Sequence, residues 1–240
     1  MTPGRATRSW RALLGCWAVF GVLAGLLAAH GWGPFAFEQA VLDWCTSHRP
    51  GFAVPVATVV TACGSAPLPY LLTLAAGALA VRRLRRARQD RQLRRPVALV
   101  LFAPTVWLLL GQGLRQLLMH GFGRPRPPVA DRAVHASGFS FPSGHAFTAA
   151  AAAGLLALAV ALARPAAARA AAVGALVFAG MVGASRVYLG VHWALDVLGG
   201  WLLAAGWLAL GTLLARQDGE SGAVLLERRP GGRRDRPSAP

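Results

Sequence analysis

The chain predicts an all-α membrane protein, a bundle of six transmembrane helices, and three observations carry that expectation. Of its 240 residues 55% are hydrophobic and only 14% charged, a balance too apolar for an ordinary soluble domain. Six apolar stretches approach the roughly 20 residues that a helix needs to cross a bilayer. All 25 basic residues are arginines, and most of them fall in alternate connections between those stretches, the bias that sets orientation in a membrane.

The elements follow in order. Arg5, Arg8 and Arg11 sit in a cytoplasmic N-terminus, residues 1–12, ahead of the first stretch, Leu13 to Ala29. That stretch reads as an uncleaved span, since it lacks a convincing small-x-small cleavage site before a soluble domain. Pro34 to Gly51 mixes Phe35, Phe37, Val41, Leu42 and Trp44 with Glu38, Asp43 and His48, the composition of an amphipathic segment lying at the outer interface. Val56 to Val81 and Val97 to Leu118 are the second and third spans, joined by Arg82, Arg83, Arg85, Arg86, Arg88, Arg91, Arg94 and Arg95. Ala146 to Ala163, the short and Gly-rich Ala170 to Gly183, and Val191 to Leu214 complete the six, with Arg164 and Arg169 between the first two of these. The membrane domain thus covers residues 13–215. Residues 216–240, rich in Gly, Arg, Pro, Ser and acidic side chains, cannot form a core and are expected to be a disordered basic cytoplasmic tail.

A net charge of +16 raises a nucleic-acid partner. That would require the arginines to cluster on one folded surface, whereas a polybasic cytoplasmic rim beside anionic lipid accounts for their actual placement. The partner is therefore the lipid bilayer and no nucleic acid. Six spans put both termini in the cytoplasm and the connections at 119–145 and 184–191 on the other side, where all six histidines also fall. Cys16, Cys45 and Cys63 show neither a paired nor a metal-ligand spacing. Nothing in the sequence fixes an oligomeric state.

Polar residues set among such stretches are costly to bury and so point to function. His192 and Asp196 are four apart; if Val191 opens a helix they share a face. A carboxylate on one imidazole nitrogen fixes the tautomer and frees the other nitrogen to attack; a plain structural pair is the alternative. Arg186, six residues earlier, carries a guanidinium suited to bidentate phosphate contacts. Pro142-Ser143-Gly144-His145 stands before the fourth stretch, with Ser143 as a natural N-cap and the amides of Gly144 and His145 at a helix start, a ready anion site. His145 titrates near neutrality and can act as a general acid. Arg124 and Arg126 alternate with Pro125 and Pro127 in a stiff, extended loop. Spacing alone does not bring them to the same phosphate as Arg186.

Together these segments resemble the phosphatidic acid phosphatase type 2 superfamily, which also contains undecaprenyl pyrophosphate phosphatases and vanadium haloperoxidases. Its signature is a lysine, six residues and Arg-Pro, then Pro-Ser-Gly-His, then Ser-Arg, five residues, His, three residues and Asp. The second and third blocks match here at every specified position, as does Arg126-Pro127. The resemblance implies a membrane phosphatase with its active site at the extracytoplasmic face of the plasma membrane, acting on a lipid phosphate or polyprenyl pyrophosphate. By it His192 is the nucleophile that becomes a phosphohistidine, Asp196 its orienting partner, and His145 the acid for the leaving group and then the base for water. Arg126, Arg186, Ser143 and the Gly144 amide form the phosphate cradle, and neither a metal nor a cofactor is implied. His120 and His135 match no signature position. One position departs: the family lysine is Met119, and a thioether carries no charge. Either Arg115, one turn earlier, or Arg124 is then expected to supply the missing cation. Met119 also keeps open a non-hydrolytic lipid-phosphate binder or transporter, and the cradle chemistry a vanadate-dependent haloperoxidase; both histidines and Asp196 argue against the first, the spans against the second.

Overall fold

A computed structural model describes residues 4–88 and 96–227, and its regular elements are all helical. They are α1 (Gly4–Ala29), α2 (Ala36–Ser47), α3 (Ala53–Ala62), α4 (Leu68–Arg88), α5 (Val97–Phe122), α6 (Gly144–Ala163), α7 (Ala168–Tyr188) and α8 (Ala194–Glu227), with short 3₁₀ turns at Val129–Asp131 and Pro165–Ala167. Val97–Phe122, Gly144–Ala163, Pro165–Tyr188 and Ala194–Ala215 are long and apolar enough to cross a membrane, whereas Leu13–Ala29 and Ala53–Ala62 are apolar but shorter.

Large apolar side chains such as Leu14, Leu26, Leu99, Leu110 and Leu176 face outward, while Glu38, Arg124 and Asp196 are fully buried. That inversion suits a protein whose solvent is hydrocarbon, where the outside gains nothing from polarity and interior polar groups must satisfy one another. The apolar centre is built from Phe20 and Leu27 of α1, Leu108 of α5, Phe147 of α6, Leu203 of α8 and Phe141. The rings of Phe20 and Phe141 stack with centroids 5.6 Å apart, which seats the segment before α6 on the first helix.

Two packing devices position the site. α4 runs antiparallel to α5, tied by Tyr70 Oη donating to Gln112 Oε1 at 3.2 Å and by the Thr73 and Thr105 hydroxyls at 2.9 Å. α8 passes close under the start of α6 at Gly199 and Gly200. A Cβ at Gly200 would stand 2.7 Å from the Ser143 carbonyl oxygen, and one at Gly199 would strike the Phe141 ring.

Four sequence expectations change. Val56 to Val81 is not one helix but α3 and α4, broken at residues 63–67; Pro67 has no N–H to donate and disfavours a helical residue before it, a break that an apolarity count passes over. α7 continues past Gly183 to Tyr188 and stops before Gly190, whose φ of +68° reverses the chain. α8 opens at Ala194, so His192 precedes the helix that carries Asp196. The expected disordered tail is helical from residue 216 to Glu227, where Leu, Ala, Arg, Gln and Glu sustain a helix despite Gly219 and Gly222; residues 228–240 lie outside the described residues, as do Arg91, Arg94 and Arg95 of the basic connection.

Candidate active site

Three chain segments meet at the ends of α5, α6, α7 and α8. Ser140 binds the first segment to the second: its N–H donates to the Arg124 carbonyl at 2.8 Å and its hydroxyl to the Pro125 carbonyl at 3.0 Å. The Ser143 N–H donates to the Asp196 carbonyl at 2.9 Å, binding the second segment to the third. The motifs are thus sewn together by backbone, which holds the side chains in register.

His192 is buried in the turn before α8. Arg126 Nη1 lies 2.9 Å from its Nε2. A guanidinium can only donate, so Nε2 is the acceptor and the ring proton sits on Nδ1. That nitrogen lies 3.4 Å from Asp196 Oδ2, at ion-pair distance though off hydrogen-bond alignment. The carboxylate is itself fixed: Oδ2 accepts the Trp193 N–H at 2.8 Å, closing the first turn of α8, and Oδ1 accepts Arg124 Nη1 at 2.6 Å. Burial, then the guanidiniums of Arg126 and Arg186, hold the His192 imidazole well below its ordinary pKa, with Arg115 adding to the effect and a backbone contact at Ser140 opposing it. The ring is therefore neutral at physiological pH, with its lone pair on Nε2.

Arg126 also donates to the carbonyls of Val191 at 2.7 Å and Ser137 at 3.0 Å. Burial lowers its pKa to about 10, against the raising pull of Asp196 and with Arg132 and Arg115 lowering it further; it stays charged at neutral pH. Arg186, in the last turn of α7, donates from Nη1 to Thr61 Oγ1 at 3.1 Å, while its Nε is buried without a protein partner. Ser143 occupies the N-cap position of α6, but its hydroxyl makes no cap bond and is also buried without a partner. Two unpaired buried donors beside the open amides of a helix start make a site for an anion.

Of the two cations expected to compensate for Met119, Arg115 lies beside it. Its Nη1 lies 3.1 Å from Met119 Sδ, and Gly144 leaves room for its guanidinium: a Cβ there would stand 3.3 Å from Arg115 Cζ. Arg115, Gly144 and His145 line a cleft of about 480 Å³ with Gln112, Gln116, Thr148 and Tyr70. The charged and titratable groups bearing on His145 are Arg186, His192, Arg126 and Arg115, so both imidazoles face one cluster of guanidiniums.

Arg124 is placed otherwise than the sequence suggests. It is 0% exposed, and its guanidinium is consumed by Asp196, by Glu38 Oε2 at 2.7 Å and by the carbonyls of Trp32 and Gly33 at 3.3 and 3.2 Å. Its alternative role as the compensating phosphate ligand is corrected on that ground. Glu38, which the sequence places among the polar residues of an interfacial segment, is 1% exposed and points inward. Only its position three residues after the α2 N-cap, where a carboxylate can accept the Phe35 N–H, signals a fixed side chain. His120 is exposed and bonds to its own helix, and His135 is exposed in the loop.

Membrane-length helices around a buried His–Asp pair that faces three arginines define the class: an integral membrane protein built to hold a phosphoryl group. The chain belongs to the PAP2 superfamily, which it matches over residues 100–219, half of its length. Phosphatidylglycerophosphatase B of Bacillus subtilis (strain 168) is 42% identical over 93 residues, 38% of this chain and 45% of the relative; the match spans less than half of that protein. The crystal structure of the first transmembrane PAP2 type phosphatidylglycerolphosphate phosphatase from Bacillus subtilis is similar with a TM-score of 0.67 at 26% identity, over 87% of this chain and 97% of that one.

Proposed function

We propose that this protein is a membrane phosphatase that hydrolyses a lipid phosphate through a phosphohistidine, at the extracytoplasmic face of a six-span bundle in the plasma membrane. The observation that carries the reading is the Arg126 to His192 contact, because a proton on Nδ1 and a lone pair on Nε2 support attack from Nε2.

In the first step Nε2 of His192 forms a bond to phosphorus as the bond to the leaving oxygen breaks, and His145, protonated once the anionic phosphate offsets the surrounding guanidiniums, gives its proton to that oxygen. Asp196 holds the Nδ1 proton and stabilises the positive ring. Arg126, Arg186, Arg115, Ser143 and the Gly144 amide stabilise charge on the equatorial oxygens, the main lever in phosphoryl transfer. In the second step water attacks phosphorus, His145 takes its proton, the N–P bond breaks and phosphate leaves. The cleft beside His145, lined by Tyr70 of α4, Gln112 and Gln116 of α5 and Thr148 of α6, supports departure of the leaving group on that side. The relatives' names favour phosphatidylglycerol phosphate as the lipid, ahead of phosphatidate and undecaprenyl pyrophosphate.

The test is phosphate release from those three lipids in mixed micelles, with His192→Ala as control. Release by the wild-type protein only is expected, fastest from phosphatidylglycerol phosphate. Equal release by the two proteins would sink the catalytic reading and leave a lipid-phosphate binder.

A further inference from the structure

Glu38 belongs to no catalytic motif, yet it holds four hydrogen-bond donors. Oε2 accepts Arg124 Nη2 at 2.7 Å and the Phe35 N–H at 3.0 Å; Oε1 accepts the Leu195 N–H at 3.0 Å and Arg124 Nη1 at 3.4 Å. Arg124 in turn reaches Asp196 at 2.6 Å, and Asp196 faces His192. All three charged side chains are fully buried. We propose that Glu38 is a positioning residue for the reaction, acting through Arg124 on the carboxylate of Asp196 and so on the His192 ring. The inference rests on the phosphatase reading above and adds a member to its machinery.

Charge is the first reason. Two carboxylates share one guanidinium, so the buried cluster carries one surplus negative charge, beside an imidazole whose other neighbours are Arg126, Arg186 and Arg115. With Asp196 as its sole partner, Arg124 would neutralise the carboxylate that must stabilise a positive ring when Nε2 bonds to phosphorus. Glu38 shares that guanidinium and offsets its charge, so Arg124 does not cancel the field of Asp196 at His192. Geometry is the second reason. Arg124 forks between the two acids, and the Leu195 N–H fixes Glu38 to the first turn of α8, one residue from Asp196, so the cluster sets the carboxylate's position from both sides. Stability alone is a weak reason for such a cluster, since apolar residues of equal volume commonly stabilise as well or better.

The test measures phosphate release from phosphatidylglycerol phosphate in mixed micelles by the full-length protein and by Glu38→Gln, Asp196→Asn and their double variant, each normalised to folded protein. Glu38→Gln is expected to lower kcat by roughly 10- to 100-fold, as removal of a group behind an orienting contact does, with KM within about twofold. In the Asp196→Asn background the same substitution is expected to cost less than about twofold, because residues acting as one unit are not additive. A wild-type kcat in Glu38→Gln, or losses that multiply in the double variant, overturns the proposal. Arg124→Lys serves should Glu38→Gln not fold: it keeps the charge but cannot fork between two acids, so a similar kcat loss is expected and a wild-type kcat overturns the proposal. Wild-type protein no faster than His192→Ala would instead remove the phosphatase reading, and this inference with it.

Discussion

At the scale of single residues, we propose that the departure at Met119 is met by the reach of Arg115. The Arg115 guanidinium lies against both the Met119 sulfur and Gly144, so a side chain from one turn earlier carries charge beside residue 119. Removing it should cost what losing one preorganised donor to a transition-state oxyanion costs, about 10²- to 10³-fold in kcat. Arg115→Ala is therefore expected to fall by that order in phosphate release, and Met119→Lys in the same chain to recover at least about tenfold. An Arg115→Ala protein with wild-type turnover would remove Arg115 from the cradle. The residues that the fold brings together were largely legible at this scale: His145, Arg186, His192 and Asp196 are named by spacing and resemblance alone. Arg124 and Glu38 were not, because a guanidinium in a Pro-flanked loop reads the same whether it faces phosphate or a buried acid 86 residues away.

At the scale of elements, the site depends on how closely α8 can pass beneath the start of α6. The Gly199-Gly200 pair allows it, and the Ser143 N–H to Asp196 carbonyl bond uses it. Side chains at Gly200 would push directly on the Ser143 carbonyl, with Ala146 Cβ at 3.1 Å behind it, and would drive His145 away from the His192 and Asp196 pair. Gly200→Val is thus expected to destabilise by about 1–3 kcal/mol, the usual cost of overpacking, and to lower kcat far more than the loss of folded protein explains. Gly174→Ala, where a Cβ meets nothing within 4 Å, should leave both unchanged. Equal activity in folded Gly200→Val and wild-type protein would show that the α6 to α8 approach does not set the site. Hydropathy located most helices, since apolar length is a property of composition. It could not locate the break between α3 and α4 or the true start of α8, which are set by proline chemistry and by the Asp196 carboxylate capping the Trp193 N–H.

At the scale of the whole molecule, the basic and reactive ends are separated along the bundle. α5 rises from Val97 to the loop that carries Arg124 and Arg126, α6 descends from His145 to Arg164, and α7 returns from Arg169 to Arg186. The connections rich in arginine therefore lie at one end, the imidazoles at the other. Arginine is retained on the cytoplasmic side during insertion, so the histidine end is expected outside. A single cysteine reports the orientation once Cys16, Cys45 and Cys63 are replaced by alanine. His135→Cys sits on an exposed loop position at the reactive end and Ala166→Cys on an exposed position at the other. In intact cells a membrane-impermeant maleimide is expected to label His135→Cys, and to label Ala166→Cys only after permeabilisation. The opposite pattern would put the cleft in the cytoplasm, where the lipid phosphate it meets belongs to the inner leaflet; labelling of both in intact cells would mean that residues 135 and 166 do not lie on opposite sides of a sealed bilayer.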